Sequence, residues 1–316
     1  MIYPFKGGQG IKGLVKHQQG NAMKFLFYLF FCGLSLVHSQ SQADNEQSMI
    51  ETQAYYNSQG QKKSLNDVVA SVRPGDVLIV GENHGQPQAR VQQFDLLTSL
   101  RQSGYKVSLG MEFFTYTDQF IVDQYLENQL SEDDFLQKIA WGKGIPYSFY
   151  KDQVLSQNRD IGELTIALNA PRSITGQVAK KGLESLTEEQ KSLLPPNLTI
   201  GRESYRERFL AQMPHLPNPE VAQRYFIAQS IWDDTMAWQT EKFVSQHSDQ
   251  VFVIIVGDFH VQYGGGLPDR IQQRTGRRPL ILSYQSANEL SQAELADSVL
   301  EHPVYGSRAD FIWVAE

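Results

Sequence analysis

Two apolar runs in this chain each end in Gly-x-x-His. Val77-Leu78-Ile79-Val80 leads into Gly81-Glu82-Asn83-His84, and the run from Val251 to Val256 leads into Gly257-Asp258-Phe259-His260. Neutral imidazole is a common ligand for transition metals and a ready proton acceptor near neutral pH. Carboxylates lie close by, at Glu82 and at Glu112, which follows a third apolar stretch from Lys106 to Met111. Together His84, His260, Glu112 and Glu82 offer two nitrogens and two oxygens, a set able to hold a divalent metal ion and still leave room for a water. On such a site Glu82 is the candidate general base for metal-assisted hydrolysis of a peptide or an ester. The plainer alternative is that Glu82 and Glu112 cap helices or pair with Arg90 and Arg172.

A second chemistry comes from the aromatic supply of 14 Tyr and 17 Phe. Haem needs a flat apolar slot, an axial ligand and cations for its propionates, and a tyrosine phenolate is one such ligand for ferric iron. Tyr116, Tyr150, Tyr205 and Tyr263 fall in predicted loops or loop edges, and Arg202, Arg206 and Arg208 are available for carboxylates. Most tyrosines serve packing, so the haem candidates narrow to Tyr263, Tyr116 and Tyr150, with Arg206 as a cation.

The elements that must position these groups are legible in part. Apolar runs without alternation are typical of strands buried on both faces of a parallel sheet, and ligands in such folds gather at the carboxyl ends of the strands. The turn Arg73-Pro74-Gly75-Asp76 feeds the first run, and Gln88 to Arg101 follows as a helix with Val91, Phe94 and Leu97 on one side. Lys106 to Met111 then closes a β-α-β unit. The aromatic-rich stretch from Phe113 to Tyr150 is predicted to be a helical insertion over the site. Leu164 to Leu168 is a strand, with Ser173 capping the next helix, and prolines break Leu183 to Pro219 into short pieces. Glu220 to Gln246 is a long amphipathic helix. Pro279 to Ser283 and Ala309 to Val314 are the last two strands. The fold class is therefore α/β: a mainly parallel or mixed sheet flanked by helices, with a helical insertion over its carboxyl edge.

The chain of 316 residues carries a formal charge of −7 and no basic run, a balance that argues against nucleic acid as a partner. Met23-Lys24 opens an apolar run from Phe25 to Val37, too short for a membrane span and followed by small residues near Ser39 and Ala43. This pattern predicts a signal peptide over 23–43, an upstream extension over 1–22 that precedes the true start, a linker over 44–60 and a single domain over 61–316. Export to the periplasm or beyond follows. Cys32, the only cysteine, lies inside the apolar run after Phe30 and Phe31, a poor context for a lipid anchor. Without it the mature chain has no thiolate for a metal or a disulfide.

These blocks, taken in order, resemble the ChaN family of haem-binding proteins, within the wider Tiki-like superfamily that also includes metal-dependent proteases. The resemblance is carried by Gly81-Glu82-Asn83-His84, Met111-Glu112, Asn169-Ala170-Pro171-Arg172, Trp232 to Ala237 and Gly257 to Pro268, and spans about Leu65 to Ser283. It implies an exported bacterial protein of haem or iron uptake, with haem held by a Tyr in a pocket that can form between two subunits of a homodimer. It also implies an outer-membrane haem or iron transport system as partner. The superfamily separately implies a divalent metal at the Gly-x-x-His motifs. Tyr263, inside a matching block, is the first choice for the haem ligand. Two departures stand out: the poor surroundings of Cys32, and the bulky Asp258-Phe259 pair where smaller residues are expected.

Overall fold

The computed structural model describes residues 49–142 and 144–316. The expected signal peptide, the upstream extension and Cys32 lie outside them. Among the described residues one eight-stranded sheet runs in the order β2-β1-β8-β7-β3-β6-β4-β5. Its strands are β1 (Ala54–Asn57), β2 (Lys62–Lys63), β3 (Val77–Glu82), β4 (Lys106–Thr115), β5 (Thr165–Asn169), β6 (Gln250–Gly257), β7 (Leu280–Ser286) and β8 (Phe311–Ala315). Pairing is parallel from β8 through β5, and only β1 joins antiparallel, to β2 and β8. The sheet is mixed and mainly parallel, as predicted.

Helices cover both faces: α1 (Leu65–Ala70), α2 (Pro87–Gln102), α3 (Gln119–Leu126), α4 (Glu132–Lys138), α5 (Lys151–Leu155), α6 (Arg172–Lys181), α7 (Glu188–Lys191), α8 (Glu203–Gln212), α9 (Pro219–Gln246), α10 (Leu267–Thr275) and α11 (Gln292–Val299). This explains the unalternating runs. Leu78 and Val80 of β3 enter the apolar layer shared with α1, α2 and the segment after β4, whereas Val77 and Ile79 enter the opposite layer with α9, α10 and α11. Each strand residue is thus buried, at a gain of about 1.5–3 kcal/mol for a fully covered Val, Leu or Ile side chain.

Local chemistry sets the helix ends. Ser64 and Asp67 form a reciprocal capping box on α1. Asn218 accepts from the Val221 N–H ahead of Pro219, starting α9 at the proline. Gly276 ends α10 in the left-handed region, with φ +71°.

The tertiary structure revises several expectations. Residues 44–60 are not a linker throughout, because β1 pairs with β8 from Ala54. β4 runs on to Thr115, so Phe113 and Phe114 are strand residues and the helical insertion begins only at Tyr116. On α2, Val91 and Phe94 face solvent; the buried side is Ala89, Gln92, Gln93, Leu96, Leu97 and Leu100. Ser173 does not cap α6, since Pro171 holds that position and makes no side-chain cap. Most consequential for the site, β3 and β4 are not neighbours: β6 lies between them.

Candidate functional site

Because β6 is inserted between β3 and β4, the strands bearing both Gly-x-x-His motifs and Glu112 end side by side. Glu82 of β3 is level with Gly257 of β6, and Met111 of β4 with Ile255. The register of β4 on β5 shifts between Met111 and Thr115, an irregularity of the kind that re-aims side chains at strand ends. It falls on Glu112.

The four groups expected as a metal set do meet at this edge, but they bond to one another. Glu82 is buried, and one oxygen lies 2.9 Å from His84 Nδ1 while also accepting from the Tyr150 hydroxyl. Its other oxygen accepts from Gln93 Nε2. His84 Nε2 then faces Glu112 Oε2 at 4.0 Å. Glu112 accepts the Gly257 N–H at 2.6 Å, and its second oxygen lies 3.4 Å from His260 Nε2. The other nitrogen of His260 lies 2.5 Å from Asp233 of α9, a carboxylate that the Tyr205 hydroxyl also donates to at 2.9 Å. Arg90, a candidate partner for Glu82, pairs with Asp152 instead.

Gly257 leaves room for this packing. A Cβ there would lie 3.0 Å from His84 Nε2, a tight approach that the imidazole meets by shifting a few tenths of an ångström, and 3.6 Å from Glu112 Oε2, an ordinary contact.

The electrostatics follow from the pairing. Burial alone would lower the pKa of His260, but Asp233 and Glu112 on either side raise it to about 10. Burial alone would raise Glu112, yet His260, His84 and the Gly257 N–H hold it at about 2. His84 is raised as well, the pull of Glu82 and Glu112 outweighing burial. Burial raises Asp233 against the pull of His260. The cluster is a chain of alternating imidazole and carboxyl links. Among the described residues no group of three or more His, Cys, Asp or Glu side chains could hold a metal ion. Beyond Phe113, whose ring meets that of His84 at 5.0 Å, opens a cavity of about 260 Å³ walled by Thr115, Lys138, Trp141 and Arg172.

The haem candidates part company. Tyr150 is fully buried and tied to Glu82; burial pushes its phenol far above the ordinary range. Tyr116 donates to the Leu193 carbonyl at 2.9 Å. Tyr205 sits in α8, not in a loop, and is fully buried. Arg206 bonds to Glu203 and Gln223. Tyr263 differs: it is half-buried, in a one-turn 3-10 segment after His260, with φ +58°. Its N–H donates to the Arg308 carbonyl, and its carbonyl accepts from Arg202.

Around Tyr263 gather groups that sequence reasoning missed. The rings of His302 and Tyr305 lie 5.9 and 5.6 Å from its ring, and 4.8 Å from each other in a stack. The buried guanidinium of Arg208 is 5.0 Å from the Tyr263 ring and 5.4–5.9 Å from those of Tyr205, Phe259 and Tyr305. Arg208 donates to the Gln262 carbonyl, and neither it nor Arg202 has an ion pair among the described residues. Arg308, 5.9 Å from the ring, is paired with Asp258. Nothing in His302-Pro303-Val304-Tyr305 marks it as site-forming in sequence; only the fold brings it to Tyr263.

Comparison with known proteins places this edge in context. A family model described as haem-binding uptake, Tiki superfamily, ChaN, matches residues 68–271. No curated protein sequence matches the chain. Among solved structures, the ChaN of Campylobacter jejuni, described with cofacial haem, is 15% identical, covers 84% of this chain and 98% of its own, and has a TM-score of 0.58. The type III effector HopBA1 is 14% identical over 80% of this chain and 93% of its own, with a TM-score of 0.42. A mutant of the erythromycin esterase EreC in its open conformation is 11% identical over 73% and 77%, with a TM-score of 0.40. At 15% identity the likeness to the Campylobacter protein is one of fold.

Proposed function

The chain belongs to the ChaN family of haem-binding uptake proteins in the Tiki superfamily, and from that membership we propose that it takes haem at the aromatic and guanidinium patch around Tyr263, with the Tyr263 phenol as iron ligand. One observation carries the choice of residue. Tyr263 is half-buried beside Arg208, a buried cation with no carboxylate partner among the described residues. Haem brings a flat apolar ring and two propionates, so a phenol flanked by ring faces and uncompensated cations matches its chemistry.

When bound, haem supplies a ferric centre that accepts an anionic oxygen. The chain's part is to present that oxygen and to meet the propionates with Arg202 and Arg208. Tyr150 and Tyr116 are less suited, since their hydroxyls already donate to Glu82 and Leu193. A metal-dependent hydrolase is not favoured, because His84, His260, Glu112 and Glu82 are engaged with one another and with Asp233.

Titration of the purified protein with hemin gives a Soret shift and a phenolate-to-iron band in this reading. Tyr263→Phe lowers hemin affinity by about a hundredfold or more and removes that band, a loss on the scale of roughly 3 kcal/mol. An unchanged spectrum in Tyr263→Phe overturns the assignment.

The same reading makes the protein an exported one, cleaved near Ser39 to Ala43, periplasmic or secreted. It binds haem between two copies of itself and passes it to or from an outer-membrane haem or iron transport system. N-terminal sequencing of the exported form and the mass of the hemin complex in solution test these two parts.

A further inference from the structure

The family match ends at residue 271, yet two of the rings against Tyr263 come from far beyond it, at His302 and Tyr305. They stand on a short reverse turn in which His302 and Gly306 bond each other's backbone, N–H to carbonyl in both directions at 2.9 Å. The His302 side chain closes the turn from within: Nδ1 accepts the N–H groups of Val304 at 3.1 Å and Tyr305 at 3.2 Å. This fixes the imidazole ring in place and stacks it on Tyr305.

The turn also reaches the Tyr263 segment through the backbone. The Tyr263 N–H donates to the carbonyl of Arg308, two residues after the turn. Tyr263 is held at φ +58°, where a residue with a Cβ is strained and needs surrounding contacts to stay. Its ring is met by the His302 and Tyr305 rings, by the guanidinium of Arg308 at 5.9 Å, and by that of Arg208, which lies 5.9 Å from the Tyr305 ring as well.

We propose that the His302–Gly306 turn is a positioning element of the ligand site: it sets the direction in which the Tyr263 phenol is presented, with His302 and Tyr305 as the positioning residues. The inference rests on Tyr263 being the haem ligand and goes beyond it by bringing in a segment outside the family-matched region. Acting through Tyr263, the turn governs how well ferric porphyrin is ligated and has no effect on binding of the metal-free ring.

The substitutions separate ring from turn. Tyr305→Phe keeps the ring. His302→Asn keeps an acceptor near the Nδ1 position but removes the ring, and Tyr305→Ala removes the other ring. Hemin and metal-free protoporphyrin IX are titrated into each, with the visible spectrum recorded and circular dichroism confirming the fold. Tyr305→Ala and His302→Asn weaken hemin binding roughly three- to tenfold, the range one aromatic contact supports, and displace the phenolate-to-iron band. Tyr305→Phe matches the wild type, and protoporphyrin binding is unchanged throughout. Wild-type hemin affinity and spectrum in both Tyr305→Ala and His302→Asn, with Tyr263→Phe still losing the band, overturn the role of the turn alone. Retention of the band in Tyr263→Phe overturns the ligand assignment and the turn's role with it. Equal loss of hemin and protoporphyrin binding in the turn variants also overturns positioning, since it makes the turn a general wall.

Discussion

Two polar regions sit near the carboxyl edge of the sheet, and they are built in opposite ways. In the Glu82–His84–Glu112–His260–Asp233 cluster every charge faces an opposite one, and the groups are mostly buried. Around Tyr263 the balance is reversed: Arg202 and Arg208 have no ion pair among the described residues, and the facing groups are aromatic rings. A buried pair with its partners in place is rigid and has little left for a ligand. An uncompensated buried cation is costly, and an anion arriving from solution relieves that cost. The motif that most invites a chemical reading is thus occupied with itself, and the less conspicuous patch is open to a ligand.

Breaking the cluster has the largest expected effect. Asp233→Ala leaves the His260 imidazolium short of a partner in a buried site and lowers unfolding free energy by about 3–5 kcal/mol, measured by urea denaturation. A clear change in hemin affinity in a folded Asp233→Ala protein would erase the contrast between the two regions.

The pH dependence of stability has a defined sign. His260 has a raised folded pKa of about 10, so its contribution is complete below its unfolded value and lost as pH rises through 10. Glu112, held at about 2, contributes fully above its unfolded value and loses this as pH falls through 2. Since the two groups share one interaction, the cluster stabilises most between the two unfolded values, roughly pH 4.5 to 6.5. In His260→Gln the stability decline from pH 6.5 to 10 is flatter than in the wild type, as read from denaturation midpoints across pH.

Gly257→Ala sharpens the comparison at smaller scale. The added methyl meets His84 Nε2 at 3.0 Å and shifts the imidazole by a few tenths of an ångström, costing about 1 kcal/mol, the low end of overpacking, with hemin affinity unchanged. Smallest in stability and opposite in kind is Arg208→Met. Removing an unpaired buried guanidinium changes the unfolding free energy by less than about 1 kcal/mol, while hemin affinity falls about tenfold, or 1.4 kcal/mol. A strongly destabilised Arg208→Met would make Arg208 a structural strut like the cluster.

Much of the fold was readable from local pattern. The runs Val77–Val80 and Val251–Val256 are unalternating because helices cover both faces of a parallel sheet, and the long helix before β6 follows its apolar stripe. Local pattern failed where a distant segment decides the outcome. β1 lies in a polar stretch and is a strand only because β8 offers a free edge. Val91 and Phe94 have the composition of a buried face but lie on the outer side of α2, while Gln92 and Gln93 turn inward, Gln93 donating to Glu82.

The candidate site divides the same way. Sequence alone determined that Glu82, His84 and His260 stand at or just past the ends of apolar strands and that Glu112 directly follows a third apolar run, because residue type and burial pattern are local properties. Only the tertiary structure decided that β6 comes between β3 and β4, and so that these groups pair with each other and with Asp233 from α9. It also decided that His302 and Tyr305 reach Tyr263. Strand order and long-range closure depend on which surfaces pack together, and no spacing within one segment records that.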